Sequence, residues 1–502
     1  MQRNTGLRDP FATDDDPSTS APGRPPQRIH SQALAPSLRS VDSPFQARPT
    51  QPVPALGAPR SSALSTASSN SQASTSTSTS PAPPPRLLGL SLGLPRSRAA
   101  LKGGQSNDPA AVASAVRQAD DAVRNTDSDA LLSRLSALKL GYLAPEPFTQ
   151  EFSTSSPSTH RHDASTRRSP LINIGTYLRC STIDAQVEAF LRQGDGQKQI
   201  ISIGAGSDSR YWRFMSDADL SQRLHHYVEI DFAENTNQKL SRILRSAILR
   251  SYLDPASSIH GVPLNQLSQQ SQTAASQQQS PSDTGRSDVV RSSKYTLLAA
   301  DVRSLHPDTP AAQRIDLEQL LGPDATGLNP ELPTLVLFEC VLAYISPDKA
   351  DWLLALLGQR FARIQALSYD IALAGDSEHS PPTAIPTVSS SGDAQAASTP
   401  SRFGKMMLQN LEMRKLSLPG AKAYPTIQAQ SQRFVRAWSS DPRDDADRQR
   451  SVLTAGRSLF SIWSTLDAEQ KSRLSRLEGL DEVEEIDMLL RHYCIVEARR
   501  TA

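Results

Sequence analysis

Four apolar runs in this sequence each stop at a residue that can hold a polar ligand. "QIISI" ends at Gly204-Ala205-Gly206, "HHYVEI" at Asp231, "KYTLLAA" at Asp301 and "PTLVLF" at Glu339. Glycines let the backbone approach a ligand closely, and a helix starting there offers unpaired N–H groups. An acid some 25 residues past such a turn can accept both hydroxyls of a ribose, which is the place of Asp231. Asp301 is placed to accept a hydrogen bond from an adenine amino group. Glu339 lies inside an apolar run, where a carboxylate needs a cationic partner; a ligand ammonium or sulfonium would serve. Tyr344 follows shortly after, near the start of the next helix, where it could enter the same site.

Each feature also has a plain structural reading: a tight turn, an N-cap for "FAENTNQK", a solvated loop acid, an internal salt bridge, a packed ring. The turn is also an imperfect dinucleotide fingerprint, because Ser209 stands at the third glycine position. Taken together, the turn and Asp231 point to an adenosine ligand. The acid at the third strand end moves the reading from a nicotinamide dinucleotide towards S-adenosylmethionine.

The elements that must carry these residues are legible in the hydrophobic pattern. "QIISIGAG", "RLHHYVEIDF", "KYTLLAADVRSL", "PTLVLFECVLAYIS" and "IQALSYDIAL" read as strands. "AENTNQKLSRILRSAI" and "SPDKADWLLALLGQRFA" read as helices, the second capped by Ser346 with Pro347 in its first turn. Near-continuous apolar strands alternating with helices predict an α/β fold whose parallel sheet is covered on both faces. Ligands of such sheets bind outside the carboxyl ends of the strands. "QRFVRAWS" and "RHYCIVEARR" are expected to add two more strands. Upstream, "DAVRNTDSDALLSRLSALKLGYL" reads as a helix ending near Gly141. "INIGTYLRCSTIDAQVEAFLRQG" looks helical in its second half, with Thr182 or Asp184 as cap and Gly194 as stop.

Composition bounds the rest. Of 502 residues, the first hundred hold 16 of the 37 prolines but only two aromatics, Phe11 and Phe45. Such a Ser/Pro-rich chain buries too little apolar surface to offset its ordering entropy. Residues 1–115 are therefore expected to be a disordered tail, and 116–502 one domain with low-complexity inserts at 267–288 and 377–401. The net charge of +1 gives no electrostatic case for nucleic acid or membrane as partner. Cys180, Cys340 and Cys494 have neither metal-ligand spacing nor the density of a disulfide scaffold. No metal is expected, and a reducing, cytoplasmic location is. The longest apolar run, "LVLFECVLAYI", is too short to span a bilayer.

The segments "INIGTYLR", "SIGAGSDSRYWR", "YVEIDF", "LLAADVRSL", "PTLVLFECVLAYISP", "RFGKMMLQNL" and "RHYCIVEA" together resemble the leucine carboxyl methyltransferase family, in a fungal-like form with a long N-terminal tail. The likeness covers most of residues 125–498 apart from the two inserts. It implies a seven-stranded, mostly parallel S-adenosylmethionine-dependent methyltransferase sheet whose last strand is antiparallel. Helices cover both faces, and extra helices form a substrate pocket. It implies methylation of the C-terminal leucine carboxylate of the protein phosphatase 2A catalytic subunit by a monomer, with S-adenosylhomocysteine as the second product.

Carried over by position, the family's cofactor contacts fall on Arg179, Gly204, Asp231, Asp301, Val302 and Glu339. A further cofactor contact, lysine in the family, falls on Arg134, and that exchange is not neutral at close quarters. Arg179 and Tyr344 match the residues that hold the reacting carboxylate. Val302 replaces a leucine, and the segment 377–401 interrupts a stretch that is continuous in the family. In "RFGKMMLQNL", Phe403, Met406, Met407 and Leu411 share one helical face, read either as core or as an adaptable pocket for a leucine side chain.

A carboxylate is already ionised at neutral pH, so no general base is needed. His225 and His226 accordingly read as structural or surface residues. The alternative within the family is the branch acting in wybutosine synthesis on transfer RNA. Those relatives continue into a β-propeller, whereas this sequence runs only to "EARRTA". A nicotinamide oxidoreductase and a degenerate binding scaffold are the readings from other classes.

Overall fold

The computed structural model describes residues 109–153, 167–264, 286–376, 399–439, 451–479 and 483–500. Most of the expected N-terminal tail and of both expected inserts lies outside them. The helix Pro109–Lys139 nevertheless begins inside the segment expected to be a tail; its alanine-rich first turns and leading proline favour that start. Likewise the insert expected to reach Asp288 gives way at Arg286 to a strand.

Among the described residues ten strands, numbered in chain order and bounded below, form one sheet in the order β4-β3-β5-β6-β2-β1-β7-β8-β10-β9. Five are the parallel strands expected from the apolar runs: β1 (Lys198–Ile203), β2 (Leu224–Asp231), β6 (Tyr295–Ala300), β7 (Thr334–Glu339) and β8 (Ile364–Ile371). β10 (Tyr493–Arg500) pairs antiparallel with both β8 and β9 (Val452–Ser458). These seven make up the sheet implied by the family likeness. Three further antiparallel strands, β3 (Ser258–Ile259), β4 (Val262–Pro263) and β5 (Arg286–Arg291), extend it past β6. The sheet separates two apolar layers with the two-residue period of a strand. Leu335 and Leu337 of β7 face one core, Val336 and Phe338 the other.

Two local expectations change. "QRFVRAWS" is not a strand but the end of the helix Ile427–Ser439. Gln430, Arg433, Phe434 and Trp438 are its buried positions, which is a helical spacing. The segment 170–192 is helical throughout, so Thr182 and Asp184 lie inside the helix Pro170–Arg192 rather than capping it. Among smaller points, Ser346 occupies the N-cap of the helix Pro347–Arg360 without a side-chain cap bond. Buried His226 is held between Ser293 O and Thr296 Oγ1, a structural role as expected.

The strand order reverses between β1 and β7. There, at the carboxyl ends, the helices Pro109–Lys139 and Pro170–Arg192 deliver side chains, while Arg402–Met413 packs on the cluster that includes Ile371 and Leu373.

Candidate active site

β1 ends at Gly204, whose φ of +68° suits glycine, and the same is true of Gly206 at +47°. Neither can gain a side chain: a Cβ on Gly204 would lie 2.6 Å from Val341 Cγ2, and one on Gly206 would lie 2.3 Å from Asp127 Oδ1. Asp127 also accepts hydrogen bonds from Ser207 N (2.6 Å) and Ser207 Oγ (2.7 Å), tying the first helix to the turn.

Asp231, at the end of β2, is buried. Its Oδ2 accepts from Gly206 N at 2.7 Å; its Oδ1 accepts from Phe232 N (2.7 Å) and Asn235 Nδ2 (3.0 Å). With two acceptor sites per carboxylate oxygen, Oδ1 is filled and Oδ2 keeps one for a ligand hydroxyl. Burial raises its pKa, opposed by these hydrogen bonds.

β7 leads Glu339 into a buried ionic cluster. Glu339 Oε2 accepts from Arg210 Nη1 at 2.9 Å, and Oε1 lies 3.0 Å from Arg179 Nε. Arg210 also donates to Asp184 (2.7 Å) and Asp208 (2.7 Å). Arg213 binds the other side of Asp184, and Arg134 Nη1 stands 3.5 Å from Asp208. Burial alone would raise the pKa of Glu339, Asp184 and Asp208; the arginines outweigh it and hold all three below the ordinary range. Four guanidinium groups thus face three carboxylates, an excess of one positive charge. Arg210 Nη2, although buried, has no hydrogen-bond partner among the described residues. Such a cluster is built to receive an anion.

Directly after Glu339 the backbone turns sharply through Cys340, which holds a φ of +57°. That conformation costs a non-glycine residue about 1–3 kcal/mol and concentrates at functional sites. Half-buried Tyr344 packs on the buried cluster of Ala343, Ile371, Leu373, Leu418 and Ala421, and so do Met407, Leu408 and Leu411. Met406, by contrast, is 37% exposed and Phe403 packs on His492, so the expected apolar face is divided between core and surface. Burial raises the pKa of Tyr344, so its hydroxyl keeps its proton at neutral pH.

The loop bearing Tyr344 is held by Asp370 of β8, which accepts from Ala343 N (2.8 Å) and Ile371 N (3.1 Å). Burial pushes the Asp370 pKa from 3.8 up to about 7 against those two bonds. Between these values the folded chain keeps a proton that the unfolded chain has lost. The stability contribution is therefore complete below about pH 4 and disappears as pH rises through 7. In thermal melts from pH 5 to 8, wild type is expected to lose stability more steeply than Asp370→Asn. Parallel pH profiles would overturn the assignment.

Asp301 and Val302 stand apart from the ionic cluster. Asp301 ends β6, where Arg303 takes both its carboxylate oxygens (2.9 and 3.0 Å) and reaches on to Asp120. Val302 is buried beside it.

Residues 110–358 match the family model described as leucine carboxyl methyltransferase. Leucine carboxyl methyltransferase 1 of Mycosarcoma maydis is 61% identical, with 100% of this chain and 99% of that protein aligned. The chain belongs to the leucine carboxyl methyltransferase family. A more distant member, leucine carboxyl methyltransferase 1 of Cryptococcus neoformans, is 33% identical over 76% of this chain and 93% of its own. The rat protein of that name is 25% identical over 76% and 90%.

In this leucine carboxyl methyltransferase family chain, Gly204, Asp231 and Glu339 lie at the carboxyl ends of β1, β2 and β7, Arg179 reaches Glu339, Arg134 reaches Asp208, and Tyr344 follows in the loop after β7. Reading the sequence missed Arg210, Asp208 and the ion-pairing role of Asp184. A signal existed. "SDSRYWR" places an arginine in the first turn of a helix, facing the positive end of the dipole. Such a residue needs acids nearby.

Proposed function

We propose that this chain transfers the methyl group of S-adenosylmethionine to the α-carboxylate of the C-terminal leucine of the protein phosphatase 2A catalytic subunit. The products are a leucine methyl ester and S-adenosylhomocysteine. The observation that carries the reading is the buried guanidinium cluster around Glu339, with its surplus positive charge and unpartnered Arg210 Nη2, in a member of this family. We place the enzyme in the cytoplasm as a monomer, with residues 116–502 as the methyltransferase domain.

The residues fit the cofactor. Asp231 Oδ2 has an acceptor site left for a ribose hydroxyl, Glu339 can take an ammonium, and Arg134 can take a carboxylate. Val302 offers an apolar surface, and Asp301 serves an adenine amino group once Arg303 yields part of its pairing. When bound, the cofactor supplies an electrophilic methyl group on a sulfonium. The chain's own work is to hold the acceptor. Arg179 fixes the leucine carboxylate through charge-assisted hydrogen bonds. The Tyr344 hydroxyl donates one more to aim the second oxygen. Met407, Leu408 and Leu411 line the space for the leucine side chain. An α-carboxylate with a pKa near 3.5 arrives ionised, so catalysis rests on orientation, worth roughly 7–11 kcal/mol in favourable cases. A clamp that held the ground state as tightly as the transition state would not raise kcat.

The test is transfer of labelled methyl to purified phosphatase catalytic subunit, with and without its terminal leucine. Alkali-labile label that requires the leucine is the expected result; no label despite cofactor binding would overturn the proposal. For the cofactor site, Asp231→Ala is expected to weaken S-adenosylhomocysteine binding about 10- to 100-fold. That is the range for losing a hydrogen bond to a charged group, about 1.5–3 kcal/mol. Unchanged affinity by calorimetry would remove Asp231 from the ribose role.

A further inference from the structure

The two arginines on Glu339 are not held alike. Arg210 Nη1 makes a hydrogen bond of 2.9 Å to Oε2. Arg179 Nε lies 3.0 Å from Oε1, yet has no hydrogen-bond partner among the described residues: the pair is close but misaligned. Misaligned contacts lose most of their hydrogen-bond strength, leaving the Coulomb attraction. Arg210 is anchored further by Asp184 and Asp208 and is 1% exposed. Arg179 has a weaker second support, the Tyr369 ring 5.6 Å beneath its guanidinium, itself stacked on Tyr493. One partner of Glu339 is therefore fixed and the other can leave.

Resting on the function proposed above, we infer that Arg210 is a positioning residue that pins Glu339 by Oε2, so that Oε1 is shared between Arg179 and the ammonium of the cofactor. With the cofactor site empty, Glu339 competes with a substrate carboxylate for Arg179. With it filled, Oε1 turns to the ammonium and Arg179 is released to the leucine carboxylate. Substrate binding thus waits on the cofactor.

The readout is binding, not turnover. Phosphatase catalytic subunit is expected to bind the full chain about 10-fold or more tightly when S-adenosylhomocysteine is present. S-adenosylhomocysteine should gain the same factor from the phosphatase, since coupling between two sites is reciprocal. Phosphatase lacking its terminal leucine should show no such gain. Glu339→Gln, which keeps the shape and removes the charge, should bind phosphatase more tightly than wild type when no S-adenosylhomocysteine is present, and the gain from adding it should vanish. Arg210→Met should reduce the coupling and Arg210→Lys should restore part of it; a merely structural role would lower stability without moving that ratio. If Arg210→Met does not fold, Glu339→Gln decides. Equal phosphatase affinity with and without S-adenosylhomocysteine, in an enzyme that methylates it, would overturn the latch and leave the function standing. Absence of both phosphatase binding and methyl transfer would overturn the function and the latch with it.

Discussion

Arg179→Ala is expected to lower kcat/KM for methyl transfer by about a hundred- to several-thousand-fold. In the free enzyme Arg179 faces Glu339 and the Tyr369 ring, and alanine would leave the substrate carboxylate without its cation. Breaking a buried charged contact costs about 3–5 kcal/mol, and each 1.36 kcal/mol is about tenfold in rate. Folding should survive, because Glu339 keeps its hydrogen bond to Arg210. Arg179→Lys should fall between the two, since an ammonium keeps the charge but loses the planar fork. Steady-state kinetics with thermal melts as a folding control would check this. A folded Arg179→Ala enzyme with wild-type kcat/KM would take Arg179 out of the mechanism.

The contrast between Arg179 and Arg210 also shows what could be read from the sequence. Glu339 and Asp231 announce themselves as polar residues in or at the end of apolar runs, those runs mark the five parallel strands, and Arg179 is reached only through the family resemblance. Arg210 opens the helix Arg210–Ser216, where its charge calls for acids without saying which. Its importance comes from Asp184, which is 26 residues away, and Glu339, 129 residues away. No local pattern carries such pairings. The same limit explains β9 and β5, whose half-buried, mixed composition has no clear alternation. The Ile427–Ser439 helix was misread for a different reason: Phe434, Val435, Ala437 and Trp438 fit either period when taken as a short run. Only Gln430 and Arg433, polar yet buried, extend the helical spacing. Trp438 confirms it by donating to Leu354 O at 2.9 Å and packing where Gly358 leaves room.

A second large effect is expected at Lys239, on the other side of the same turn. Its Nζ lies 2.5 Å from Glu229 Oε2 and donates to Asp208 O at 2.9 Å, between the rings of Phe152 and Trp212. Both members of the pair are almost wholly buried, and among the described residues Tyr295 Oη donates the one side-chain hydrogen bond the Glu229 carboxylate would retain without the lysine. Lys239→Met should therefore destabilise the fold by about 3–5 kcal/mol, because it strands a buried carboxylate. Burial already pushes the Glu229 pKa up to about 7 despite Lys239, so in the variant the acid would escape part of the penalty by holding a proton. The unfolded chain gives up that proton near 4.5, so the loss should be smaller at pH 6 than at pH 8. The double variant Glu229→Gln/Lys239→Met should recover most of the stability, since replacing a buried pair by neutral groups is often close to neutral. Urea unfolding of the three variants at both pH values measures this. A single variant as stable as wild type, or a double variant no better than the single, would show that the pair does not hold the turn. Because Lys239 holds the backbone of Asp208 while the Asp208 side chain holds Arg210, the single variant should also weaken S-adenosylhomocysteine binding where it remains folded. In this site the stability of the core and the placement of Glu339 depend on the same few charges.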